Sequence, residues 1–110
     1  MKHLFSKLSR KGSETMSGKL IVLITGANQG IGYHIAQRLA ATGKYIVLLG
    51  SRSAEKGQKT ADAMFADKAL QIDESNIEPI QIDVHYDGSI KAAAETIEAK
   101  YGRLDIISPY

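Results

Sequence analysis

Residues 20–25, Leu-Ile-Val-Leu-Ile-Thr, form an unbroken apolar and β-branched run that stops at Gly26 and gives way, from Gly30, to a helical stripe. A continuous run this short suits a strand covered on both faces, as in a parallel sheet with helices packed on each side. Ile31, Ile35 and Leu39 recur at a spacing of four with Ala36 and Ala40 beside them, and Gly43 supplies a stop. The alternation then repeats. Residues 45–49 read as a second strand ended by Gly50, and Ser53 as the cap of a second helix with Ala54, Gly57, Ala61 and Met64 inward. Residues 66–76 are polar and irregular. Residues 77–82 read as a third strand, which Pro79 places near a sheet edge. Asp87 is the candidate cap of a third helix carrying Ile90, Ala93, Ala94, Ile97 and Tyr101 inward; Gly102 ends it, and residues 104–107 begin a fourth strand.

The order β-α-β-α-β-α-β predicts an α/β fold, a doubly wound parallel sheet with right-handed crossovers and strand order 3-2-1-4. The first two helices then cover one face and the third the other. Strand four is left as an apolar edge, so the fold is expected to be marginal and aggregation-prone unless a partner covers it.

Composition narrows the chemistry. A length of 110 residues fits one small domain, and the absence of cysteine excludes disulfides, thiolate metal sites and a cysteine nucleophile. The longest apolar run has five residues, 20–24, far short of a membrane span, so no membrane partner is expected. Residues 1–19 hold five Lys or Arg against Glu14 alone, whereas residues 20–110 hold nine against eleven Asp or Glu. The basic balance is thus a property of the tail, and a mildly acidic body gives no reason to expect nucleic acid. Residues 1–18 read as a basic, disordered extension in which Met16 is a plausible alternative start, with an organelle transit peptide as the alternative; residues 19–110 read as a partial nucleotide-binding domain. The location that follows is the cytoplasm, with organelle targeting through the tail left open.

The turn Thr25-Gly26-Ala27-Asn28-Gln29-Gly30-Ile31-Gly32 joins the first strand to the first helix. Gly26 permits a tight turn, Gly30 removes a side chain where a pyrophosphate would approach, and Gly32 lets the helix pack on the strand. The helix N-terminus offers N–H groups and a positive dipole end to phosphate. A glycine pattern following a strand and opening a helix within a βαβ unit is the context a dinucleotide site requires.

The spacing G-x-x-x-G-x-G, in Thr-Gly-x-x-x-Gly-Ile-Gly, resembles the short-chain dehydrogenase/reductase family, whose cofactor domain is Rossmann-like. Gly50-Ser51-Arg52 resembles its cofactor-selecting end of strand two, Asp83-Val84 its adenine-contacting pair, and residues 101–106 its run into strand four. The likeness covers about residues 19–107 and is greatest to the NADP-dependent carbonyl-reductase type. It implies a nicotinamide dinucleotide held by Gly26, Asn28, Gln29, Gly30, Ile31, Gly32, Ser51, Arg52, Asp83 and Val84. The acidic residue that would bind a ribose 2′,3′-diol falls at Ser51, which is neutral, and Arg52 follows with a guanidinium suited to phosphate; NADP(H) is therefore expected over NAD(H). Asn28 either helps hold the glycine loop or reaches the 2′-phosphate region, the alternative being an Asx-type turn. Asp83 would accept from the adenine amino group, the alternative being a loop cap.

Hydride transfer to a carbonyl also needs a proton donor, which the family supplies through Tyr-x-x-x-Lys and an upstream Ser. None of Tyr33, Tyr45, Tyr86, Tyr101 and Tyr110 has Lys four residues on, and Ser108-Pro109-Tyr110 stands where the family has Asn-Asn-Ala-Gly. His3, His34 and His85 have no metal-ligand spacing and read as surface or core residues. Asp73-Glu74 reads as a solvated pair, and Ser51 and Ser53 lack a His-Asp arrangement. Two readings result. One is the N-terminal, NADP-binding portion of a short-chain oxidoreductase with no turnover of its own. The other is a short non-enzymatic protein that binds nucleotide or a full-length family partner.

Overall fold

The computed structural model describes residues 19–26 and 30–108. The basic extension and residues 27–29, and with them the expectations for Asn28 and Gln29, lie outside the described residues. Four strands and three long helices alternate: β1 (Leu20–Thr25), α1 (Gly30–Ala41), β2 (Tyr45–Ser51), α2 (Ala54–Ala66), β3 (Ile77–Gln81), α3 (Asp87–Tyr101) and β4 (Ile106–Ser108). All pairings are parallel and the order is β3-β2-β1-β4, as the alternation predicts.

The unbroken apolar runs end up where such runs belong. Residues 21–24 of β1 and 47–49 of β2 are at most 1% exposed, because α1 and α2 cover one face and α3 the other. On the first face Val22, Ile24, Val47 and Leu49 pack with Ala36, Ala40, Ala61 and Met64. On the second, Ile21, Leu23 and Leu48 pack with Ile90, Ala93 and Ile97. Each large side chain so buried contributes about 1.5–3 kcal/mol. The fourth strand has only β1 beside it among the described residues, and its Ile106 is 43% exposed. No helix among those residues is long and apolar enough to cross a membrane.

Several local expectations shift. Gly50 does not end β2; the strand continues to Ser51, with Gly50 paired to Thr25 and Ile80, since hydrogen-bonded neighbours on both sides outweigh glycine's weak strand preference. Ala54 is exposed, and Thr60 joins Gly57, Ala61 and Met64 on the buried side of α2. Ser53 does cap α2, its Oγ accepting from the Lys56 N–H at 3.3 Å. Asp87 is the first residue of α3 rather than its cap, which is Tyr86 with no side-chain bond. β4 starts later than expected, at Ile106, because Asp105 is spent on docking the strand. Its N–H donates to the Ile21 carbonyl and its Oδ2 accepts from the Ile21 N–H at 2.8 Å. Arg103 Nη2 lies 2.6 Å from Asp105 Oδ1, so this buried pair fastens the end of the sheet remote from the strand C-termini.

Candidate functional site

The parallel sheet points the carboxyl ends of β1, β2 and β3 in one direction, and there the chain opens a cleft of about 410 Å³. Thr25 and Gly26 come from β1, Gly50 to Ser53 from the end of β2, Lys56 from the first turn of α2, and Ile82, Val84 and His85 from the segment after β3. Backbone bonds beyond the strands hold these ends together. The Gly26 N–H donates to the Gly50 carbonyl at 3.2 Å, and the Ile82 N–H to the Ser51 carbonyl at 2.8 Å. Gly50 forms the cleft's floor by necessity: a Cβ there would lie 2.9 Å from Ile82 Cγ2 and 3.2 Å from Thr25 Cγ2.

The glycine turn enters at the β1 side. Gly26 and Gly30 take φ of +69° and +65°, conformations that side chains with a Cβ adopt only under strain. Among the described residues, no atom outside the immediate chain neighbours stands within 4 Å of where a Cβ on Gly30 would be. Gly32 is buried in α1 and Ile31 is 67% exposed.

Arg52 is exposed, with its carbonyl fixed by a bond from Gln81 Nε2 at 3.2 Å. Ser51 Oγ accepts from the Ser53 N–H at 3.3 Å, so the residue at the tip of β2 serves the turn into α2. Arg52 and Lys56 are two cations on one wall, and no carboxylate lines the cleft among the described residues. Such a wall suits an anion. The opposite wall is apolar, made by Ile82 and the 44% exposed Val84.

The expected site residues do not all converge. Gly26, Ser51, Arg52 and Val84 line the cleft, whereas Gly30, Ile31, Gly32 and Asp83 are not among its lining residues. Asp83 Oδ1 accepts from the His85 N–H at 3.0 Å, and its own N–H donates to Ser89 Oγ at 2.8 Å. Asp83 therefore holds the Val84–His85 turn in place. Lys56 and His85 were not singled out. Lys56 had a legible signal: once Ser53 caps α2, Lys56 is the third helical residue, at the end that abuts the tip of β2. His85 had only its place next to Val84.

Residues 20–109 match the family model described as short chain dehydrogenase. The short-chain dehydrogenase anuI of Penicillium roqueforti is 44% identical over 89 residues, 81% of this chain and 33% of the relative. The (-)-isopiperitenone reductase of Mentha piperita is 39% identical over 85 residues, 77% of this chain and 26% of the relative. Among solved structures, menthone neomenthol reductase from Mentha piperita superposes with a TM-score of 0.74 at 29% identity, over 84% of this chain and 31% of that one. A metagenomic short-chain oxidoreductase in complex with NADP gives 0.65 at 28% identity, over 80% of this chain and 37% of that one. The chain spans about a third of the length of the curated relatives it matches. With the strand order, the glycine turn and a family match across nearly all of the alternating body, the chain belongs to the short-chain dehydrogenase family.

Proposed function

We propose that this chain provides the NADP(H) site of a short-chain oxidoreductase acting on a carbonyl or alcohol. The observation that carries the reading is the cleft across the strand C-termini, with Arg52 and Lys56 on one wall and no carboxylate among its described residues. A 2′-phosphomonoester brings close to two negative charges, which the guanidinium can grip bidentately and the ammonium can neutralise. The apolar Ile82–Val84 wall and the Arg52 plane suit the two faces of an adenine, and the N-terminus of α1 suits the pyrophosphate. The solved NADP complex of a relative with the same fold supports the same choice.

When bound, the nicotinamide would supply or accept the hydride. The chain's own residues bind and orient. No tyrosine of the chain has a lysine four residues on, so the reading assigns cofactor binding to it and not the proton transfer that completes turnover.

Titration calorimetry with NADPH and NADH tests the proposal. NADPH should bind more tightly, and Arg52→Ala should weaken NADPH by about tenfold or more while moving NADH less than about threefold. Equal affinities in the unaltered chain, or tighter NADH, would overturn it.

A further inference from the structure

Arg52 lies between β2 and α2, and neither element holds its backbone. Among the described residues, the last main-chain bond between β2 and the segment from β3 runs from the Ile82 N–H to the Ser51 carbonyl at 2.8 Å. Beyond it the two segments part. Residues 52 and 53 turn into α2, and the Asp83 N–H is taken by Ser89 Oγ at 2.8 Å. The peptide joining Arg52 to Ser53 is nonetheless bonded at both of its polar atoms. Its N–H donates to Ser51 Oγ at 3.3 Å, and its carbonyl accepts from Gln81 Nε2 at 3.2 Å. Gln81 is paired with Ser51 in the parallel register, so its amide supplies a rung that the main chain no longer makes. Gln81 is exposed and is not among the residues lining the cleft.

We propose that Gln81 is a positioning residue for cofactor selection, its amide fixing the Arg52 peptide and thereby the base from which the guanidinium reaches a 2′-phosphate. This rests on the NADP(H) reading above. A bidentate grip on a phosphate requires the guanidinium to approach in one orientation, and a long side chain on a loose backbone must lose that freedom each time it binds. Gln81 removes part of the freedom beforehand. Without its bond only Ser51 Oγ holds the peptide, which can then turn. The loss falls on the ligand that carries the phosphate. Contact of the Arg52 plane with the adenine is common to NADPH and NADH and cancels in their ratio.

The measurement is the ratio of NADPH to NADH affinity, by titration calorimetry, for the unaltered chain, Gln81→Met, Arg52→Ala and the double variant. Methionine keeps the length of the side chain and removes the donor. Gln81→Met should lower the ratio about threefold, a size within the worth of one neutral hydrogen bond. A general loosening of the fold weakens both nucleotides alike and leaves the ratio where it was. In the Arg52→Ala background the same change should alter the ratio by less than about 1.5-fold, because no guanidinium is left to position. A ratio untouched by Gln81→Met, with NADPH still preferred by the unaltered chain, overturns the role of Gln81 and leaves the cofactor reading standing. A fall of equal size with and without Arg52 also overturns it, since Gln81 would then act by another route. If the unaltered chain gives NADPH no advantage, both fall together.

Discussion

Gly50→Ala tests whether the cleft floor is as tight as the structure makes it. The added Cβ would stand 2.9 Å from Ile82 Cγ2, 3.2 Å from Thr25 Cγ2 and 3.3 Å from the Ile24 carbonyl oxygen. None of these can retreat easily. Ile82 is 2% and Thr25 9% exposed, both methyls are one bond from a Cβ, and the carbonyl belongs to the central strand. Overpacking of this kind costs about 1–3 kcal/mol. Replacing a strand glycine returns about 0.5–1 kcal/mol of chain entropy, leaving a net loss centred near ~1 kcal/mol. In urea unfolding with a slope near ~1 kcal/mol per molar, the midpoint should fall by about 1 M with the slope unchanged. Ile82→Ala removes the nearest methyl. In that background the further cost of Gly50→Ala should drop below about 0.5 kcal/mol, a coupling that a double-mutant cycle reads directly. A midpoint that stays or rises in the single variant, or a cost that persists without Ile82 Cγ2, would refute the steric account. The same variant should weaken nucleotide binding, since Gly50 and Ile82 both line the cleft.

Two further outcomes follow from the hydrogen-bonded clusters away from the cleft. Tyr101 donates to Glu78 Oε2, and burial first, then that bond, holds its phenol protonated well above the ordinary range. A raised folded-state value means stability present below about pH 10 and lost as pH climbs through and beyond it. Unfolding curves at pH 9 and 11 should therefore diverge more for the unaltered chain than for Tyr101→Phe; equal divergence would refute the assignment. At the other end of the sheet, Asp105→Ala breaks a pair whose side chains are 2% and 10% exposed and removes an acceptor from the Ile21 N–H. It should cost about 3–5 kcal/mol in the same assay, with Asp105→Asn milder because an acceptor oxygen remains.

Much of the fold can be read without coordinates because strand burial and helix amphipathicity are local patterns. The run 20–25 has no polar position to show to water, so it demands cover on both faces, and α1 and α3 supply it. Gly26 and Gly30 likewise announce a turn that only glycine takes without strain. Boundaries were less legible. Gly50 looks like a terminator in a one-dimensional pattern, but its fate depends on Thr25 and Ile80, residues supplied by two other strands.

The sequence by itself determined the alternation of elements, the parallel class and the glycine turn between β1 and α1, since each is encoded within a dozen consecutive residues. Only the tertiary structure decided what shares the cleft. Arg52, Lys56 and His85 come to line one cleft because the parallel pairing brings the C-terminal ends of β2 and β3 side by side. The same packing leaves the Asp83 carboxylate accepting from the His85 N–H, the loop-cap alternative that the sequence could not choose over an adenine contact.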